Sequence, residues 1–260
     1  MRFQHVRPGL LVLVLLIGYT AAASGGVLDE YQRISSSHLG YDLRYRVYRP
    51  AGVSAGDRLP TLYVTDGQWY LQHGDFKAVL DRAIDEGPIR PVLVVFLDSR
   101  NPDDPQENRR NAEFMCSKDY AAFFATELIP RISREQPVSS SRADRVILGV
   151  SFGGLNSACF GLLLPQLFAG IAMQSPASGD HLDVVRKLYE EREALPLKVF
   201  LSAGTRNDNL AATRRFRRVL AYKGYDLTFM KVREGHDWEN WGPLLDDVLV
   251  TFFADDPMPD

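Results

Sequence analysis

The chain has 260 residues, a formal net charge of −3, 45% hydrophobic residues, five histidines and two cysteines. That length and apolar content suit a packed domain with a full core, not a disordered or fibrous chain. The mildly acidic balance argues against nucleic acid as a partner, and two cysteines are too few for a disulfide scaffold.

The first residues read as an export signal. Arg2 and Arg7 form a positive segment, Leu10–Ile17 is an apolar run, and Ala21, Ala22 and Ala23 offer a cleavage site before Ser24. The run is shorter than the about 20 residues of a membrane span, and nothing after Ala23 prolongs it, which argues against an uncleaved anchor. No cysteine follows the cleavage site to carry a lipid. The reading is a signal over residues 1–23 and one catalytic domain over 24–260. A periplasmic or secreted location and no stable membrane insertion after cleavage follow from it.

Residues Tyr41–Arg49 alternate apolar and polar, as in a half-exposed strand that opens an antiparallel edge. Short apolar runs then recur at Leu59–Val64, Pro91–Leu97, Arg145–Val150, Phe168–Met173, Leu197–Ser202 and Leu227–Val232. They show little alternation, which suits strands buried on both faces. Between them lie helical spacings, with Tyr120, Phe123, Phe124, Leu128 and Ile129 on one face and Leu210, Phe216, Val219 and Leu220 on another. This alternation predicts an α/β fold, a mostly parallel central sheet with helices on both faces. Asp98–Ser117 reads as one long irregular loop, a kind that is usually functional or mobile. Cys116 and Cys159 fit a disulfide and a pair of buried thiols equally well.

The strongest chemical signal is Gly149-Val-Ser-Phe-Gly153, directly after the Arg145–Val150 strand and opening a helix over Leu155–Leu164. A serine in a sharp strand-to-helix turn projects its hydroxyl above the sheet, and the flanking glycines leave room for the turn. Ser151 is therefore the candidate nucleophile, against a bland reading as a helix cap, and the Phe152 N–H points where an oxyanion would form. A serine hydroxyl needs a base. His5 lies in the leader, His38 precedes the sheet and His73 sits in the first helix after the Leu59–Val64 strand. His181, between Asp180 and Asp183, reads as solvated in a polar loop and not as a metal ligand. His236 follows the last strand and is the candidate base. The acid belongs in a loop between them, and Asp208 is the carboxylate in Ala203–Leu210, its competing role being a helix cap.

Leu62–Trp69, Arg110-Asn-Ala-Glu113, Glu127–Pro130, Gly149–Gly154, Gln174-Ser-Pro176, Gly204–Asp208 and Gly235-His-Asp-Trp238 are spread over Tyr41–Phe253. Together these segments resemble the α/β-hydrolase esterase family that includes enterochelin esterases, esterase D-type enzymes and mycolyltransferases. The resemblance implies a Ser151–His236 pair and a second oxyanion N–H from the Asp66-Gly67-Gln68 turn. It also implies an acid at the position of Asn207, so that either Asp208 has taken over or the third member is weak. Asp66 precedes Ser151 and is expected to be structural. Trp69, Trp238 and Trp241 line a substrate pocket or pack as core. Arg110 pairs with Glu113 or faces an anionic substrate, the pair being favoured, and Arg214, Arg215, Arg217 and Arg218 form a solvated helix face. The expected function is hydrolysis of a small-molecule ester through an acyl-serine, without metal or organic cofactor. A siderophore ester leads, with feruloyl or acetyl esters close behind. An acyltransferase and a non-catalytic binding protein are the alternatives.

Overall fold

The computed structural model describes residues 25–254, so the leader read over residues 1–23 lies outside the described residues. The chain enters through β1 (Val27–Leu28), β2 (Gln32–Ser36) and β3 (Tyr41–Arg49), with β1 and β2 both antiparallel to β3. β4 (Thr61–Val64) leads to α1 (Gly67–His73) and α2 (Phe76–Asp85), and β5 (Leu93–Asp98) follows. The connection after β5 carries a short α3 (Arg110–Glu113), so the expected loop is not wholly irregular. Then α4 (Lys118–Phe123) and α5 (Ile129–Glu135) are joined by a π-helical turn over Phe124–Leu128.

β6 (Arg145–Val150) feeds α6 (Phe152–Leu163), followed by β7 (Gly170–Gln174), α7 (Gly179–Glu191), β8 (Lys198–Gly204), α8 (Leu210–Tyr222) and β9 (Asp226–Val232). α9 (Trp238–Trp241) and α10 (Leu245–Phe253) end the described chain. His181 lies in the first turns of α7, not in a loop, because Leu182, Val185 and Tyr189 give that segment a buried face.

The nine strands form one sheet in the order β1-β3-β5-β4-β6-β7-β8-β9, with β2 also on β3. From β5 to β9 the pairs are parallel, while β3 meets β5 antiparallel. Side chains alternate between two apolar layers. Tyr63, Val95, Ile147 and Leu201 face one layer with Phe124, Phe160 and Phe216; Leu62, Val64, Leu148 and Phe200 face the other with Phe76, Leu80 and Val248. Both faces are thus covered, which is why these strands lack polar alternation. The architecture is of the α/β-hydrolase type. No helix among the described residues is long and apolar enough to cross a membrane.

The order β5-β4-β6 matters for the site. The chain leaves β4 toward β5 on one side and returns to lay β6 on the other, so the carboxyl ends of β4 and β6 open onto a crevice where ligands bind in open α/β sheets. Cys116 and Cys159 are joined in a disulfide that ties the end of the β5–α4 connection to α6.

Candidate active site

Ser151 stands between β6 and α6 with φ 55° and ψ −123°. A non-glycine residue there is strained, and the surrounding turn must hold it. A Cβ on Gly149 would lie 2.2 Å from the Gly153 carbonyl carbon, so the turn closes only with glycine at that position. The end of β7 also grips the serine backbone. Ser151 N–H donates to the Gln174 carbonyl at 2.9 Å, and Ala177 N–H donates to the Ser151 carbonyl at 3.1 Å.

His236, in the turn after β9, places Nε2 2.9 Å from Ser151 Oγ and Nδ1 2.7 Å from Asp208 Oδ1. An ionised carboxylate can only accept, so Nδ1 carries the proton and Nε2 is free to accept from the serine hydroxyl. Asp208 follows β8, and its carboxylate is heavily bonded. Oδ2 accepts from Gly204 N–H at 2.5 Å and Ser175 Oγ at 2.6 Å; Oδ1 also accepts from Asn209 N–H at 2.7 Å. Burial alone would push this carboxyl up, but the donors from His236, Ser175, Gly204 and Asn209 outweigh it and hold the group below the usual aspartate range.

Asp208, and not Asn207, meets the imidazole. Asn207 has a left-handed backbone, φ 49°, a conformation asparagine tolerates better than most residues. The turn thereby presents the following side chain to His236. The alternative role for Asp208 as a helix cap does not apply, since the N-cap position of α8 is Asn209.

Phe152 and Gly67 are the first residues of α6 and α1. N–H groups at that position have no acceptor in their own helix, so both are available to an incoming oxygen. A Cβ on Gly67 would sit 2.6 Å from the Phe96 Cα, so only glycine lets this turn lie against β5. Asp66 before it is fully buried, accepts from Ser99 Oγ at 2.7 Å and lies 2.7 Å from Arg110 Nε. Burial raises its carboxyl, with Arg110 and Ser99 pulling the other way.

The favoured Arg110–Glu113 pair does not form. Arg110 turns to Asp66, while Glu113 is buried under Tyr41, whose hydroxyl donates to it at 3.1 Å. Glu113 is sealed into the core, while Arg110 stays partly exposed and finds a carboxylate from the far side of β5 in sequence. Arg110 joins Asp66, Trp69, His73, Trp238 and Trp241 around Ser151 in a cavity of about 310 Å³. Trp69 stacks on His73 at 5.5 Å, and Trp238 meets Trp241 edge-on at 5.4 Å. Trp241 is also 6% exposed, so the pocket and core readings both apply to it. Larger cavities, of about 530 and 580 Å³, lie at Arg186–Lys223 and around Gly25–Pro137, away from Ser151. Of the four arginines on α8, Arg215 is tied to Asp183 of α7.

Sequence reasoning missed Ser175 and Asn240, both fully buried beside Asp208. The one signal was a Ser-Pro step directly after a buried strand, which alone names no role.

Protein YjcH of Bacillus subtilis is 23% identical over 239 residues, covering 88% of this chain and 98% of its own. An iron(III) enterobactin esterase of Yersinia enterocolitica is 28% identical over 154 residues, 59% of this chain and 42% of the relative, so the chain spans less than half of that protein's length. The enterobactin esterase of Shigella flexneri, solved in the presence of enterobactin, superposes with a TM-score of 0.77 at 23% identity. That match covers 90% of this chain and 61% of the solved one. The model of the family described as "Putative esterase" matches residues 36–252, and the chain belongs to that family.

Proposed function

We infer that this protein is an exported serine esterase, with Ser151 as nucleophile, His236 as general base and acid, and Asp208 as the group that orients the imidazole. The observation that carries the reading is the continuous relay from Ser151 Oγ through His236 to Asp208, with contacts of 2.9 and 2.7 Å. In the first half-reaction His236 Nε2 takes the serine proton as Oγ attacks the ester carbonyl. The oxyanion develops against the N–H groups of Phe152 and Gly67. His236 then protonates the departing alcohol, leaving an acyl-serine. Water, deprotonated by the same imidazole, releases the acid and restores the serine.

The substrate we propose is a siderophore-type ester. The enterobactin esterases among the relatives support it, as does a cavity walled by indole rings, which suits a flat acyl group. Export rests on the Arg2, Leu10–Ile17 and Ala21–Ala23 pattern. The test is turnover of p-nitrophenyl butyrate by the purified protein beside Ser151→Ala. Loss of activity by at least about 10³-fold in the variant is expected. Full retention would remove Ser151 from the chemistry.

A further inference from the structure

Ser175 lies just past the end of β7, has a left-handed backbone (φ 45°) and is fully buried. Its hydroxyl has one proton and two lone pairs. Trp241 Nε1 donates to Oγ at 2.9 Å and Asn240 Nδ2 at 3.2 Å, both groups that can only donate. The acceptor capacity is filled, so the one proton goes to Asp208 Oδ2, 2.6 Å away. The Asn240 amide is itself fixed, because its Nδ2 also faces the Gly235 carbonyl at 2.7 Å, the residue before His236. The Trp241 ring meets the His236 imidazole edge-on at 5.0 Å and 87°. One buried hydroxyl thus connects the loop of the acid, the loop of the base and the strand whose end holds the Ser151 backbone.

Building on the esterase reading, we propose that Ser175 is a positioning residue: its hydroxyl, aimed by Trp241 and Asn240, holds the Asp208 carboxylate in the orientation that presents Oδ1 to His236. Asp208 is held from the β7 side by Ser175 and from its own turn by Gly204 and Asn209. Ser175 touches no reacting atom and acts through Asp208.

The test is a double-mutant cycle on p-nitrophenyl butyrate hydrolysis across pH, with Ser175→Ala, Asp208→Asn, the double variant and Ser151→Ala. Loss of a hydrogen bond to a charged group should lower kcat about 10- to 100-fold in Ser175→Ala, with KM little changed. The acid limb of its kcat/KM profile should move to lower pH, since a carboxylate no longer held toward His236 stabilises the imidazolium less. In the Asp208→Asn background the same change should add less than about threefold, because its route is already cut. Trp241→Phe, which keeps an aromatic ring and removes the N–H, should shift the same limb and serves if Ser175→Ala does not fold. Unchanged kcat and pH profile in Ser175→Ala, or full additivity with Asp208→Asn, overturns the proposal while Ser151→Ala remains inactive. Retained turnover in Ser151→Ala overturns the esterase reading itself, and the proposal with it.

Discussion

Glu113 is a carboxylic acid sealed into the apolar layer beside Phe114 and Tyr120, with Tyr41 as its hydrogen-bond donor. Burial pushes its carboxyl up to about 8, with the Asp66 and Asp98 charges acting in the same direction. In the unfolded chain the same group titrates near about 4.3. Between those values the folded protein keeps a proton that the unfolded chain releases, so stability falls as pH rises through that window and levels above it. Glu113→Gln removes the titration. The thermal midpoint of wild type should therefore drop more between pH 5 and pH 8 than that of the variant, and equal drops would show that Glu113 does not carry this effect. Single residues are also where the sequence was least legible. Arg110 and Glu113, close in sequence and opposite in charge, suggest an ion pair, but the partner Arg110 finds, Asp66, is brought by the fold from another strand end. Ser175 was hidden for the same reason, since its meaning depends on Trp241, Asn240 and Asp208 meeting in space.

At the scale of elements, the carboxyl ends of consecutive parallel strands each contribute one part of the site. β4 leads to Gly67, β6 to Ser151, β7 to Ser175, β8 to Asp208 and β9 to His236. Buried runs such as Arg145–Val150 announced these strands clearly, because parallel strands covered on both faces are apolar throughout. The segment around His181 read as a loop because Ser178-Gly-Asp looks like a polar turn, although the spacing of Leu182, Val185 and Tyr189 carried the helix. The disulfide had no signature beyond two cysteines. It closes a span of 43 residues between the arginine-bearing connection and the helix that Ser151 opens. A cross-link of that span stabilises by about 4 kcal/mol in the chain-entropy view. The double variant Cys116→Ser/Cys159→Ser should lose stability on that scale in urea titration. Its amide exchange should rise over residues 99–117 more than in β6 and β7. Unchanged exchange in the connection would mean that its other contacts hold it in place.

For the whole molecule, the two apolar layers share one sheet, and the proposed catalytic groups gather at the carboxyl ends of its parallel strands. The fold class was readable from the alternation of apolar runs and helical spacings, and the serine turn from its strand-turn-helix setting. What could not be read was which of Asn207 and Asp208 faces the base, a matter of one left-handed residue. Because the site has no scaffold of its own, activity, tryptophan fluorescence and far-UV circular dichroism should vanish together as urea is raised with the disulfide intact. Loss of activity well before the spectroscopic transitions would indicate a site that loosens independently of the sheet. The most direct measurement is to treat the native protein with a fluorophosphonate and locate the adduct by peptide mass spectrometry. A single adduct on Ser151, formed much more slowly in His236→Ala, is the expected result. No adduct, or one on another residue with Ser151 unmodified, would contradict the assignment of Ser151 as the activated nucleophile.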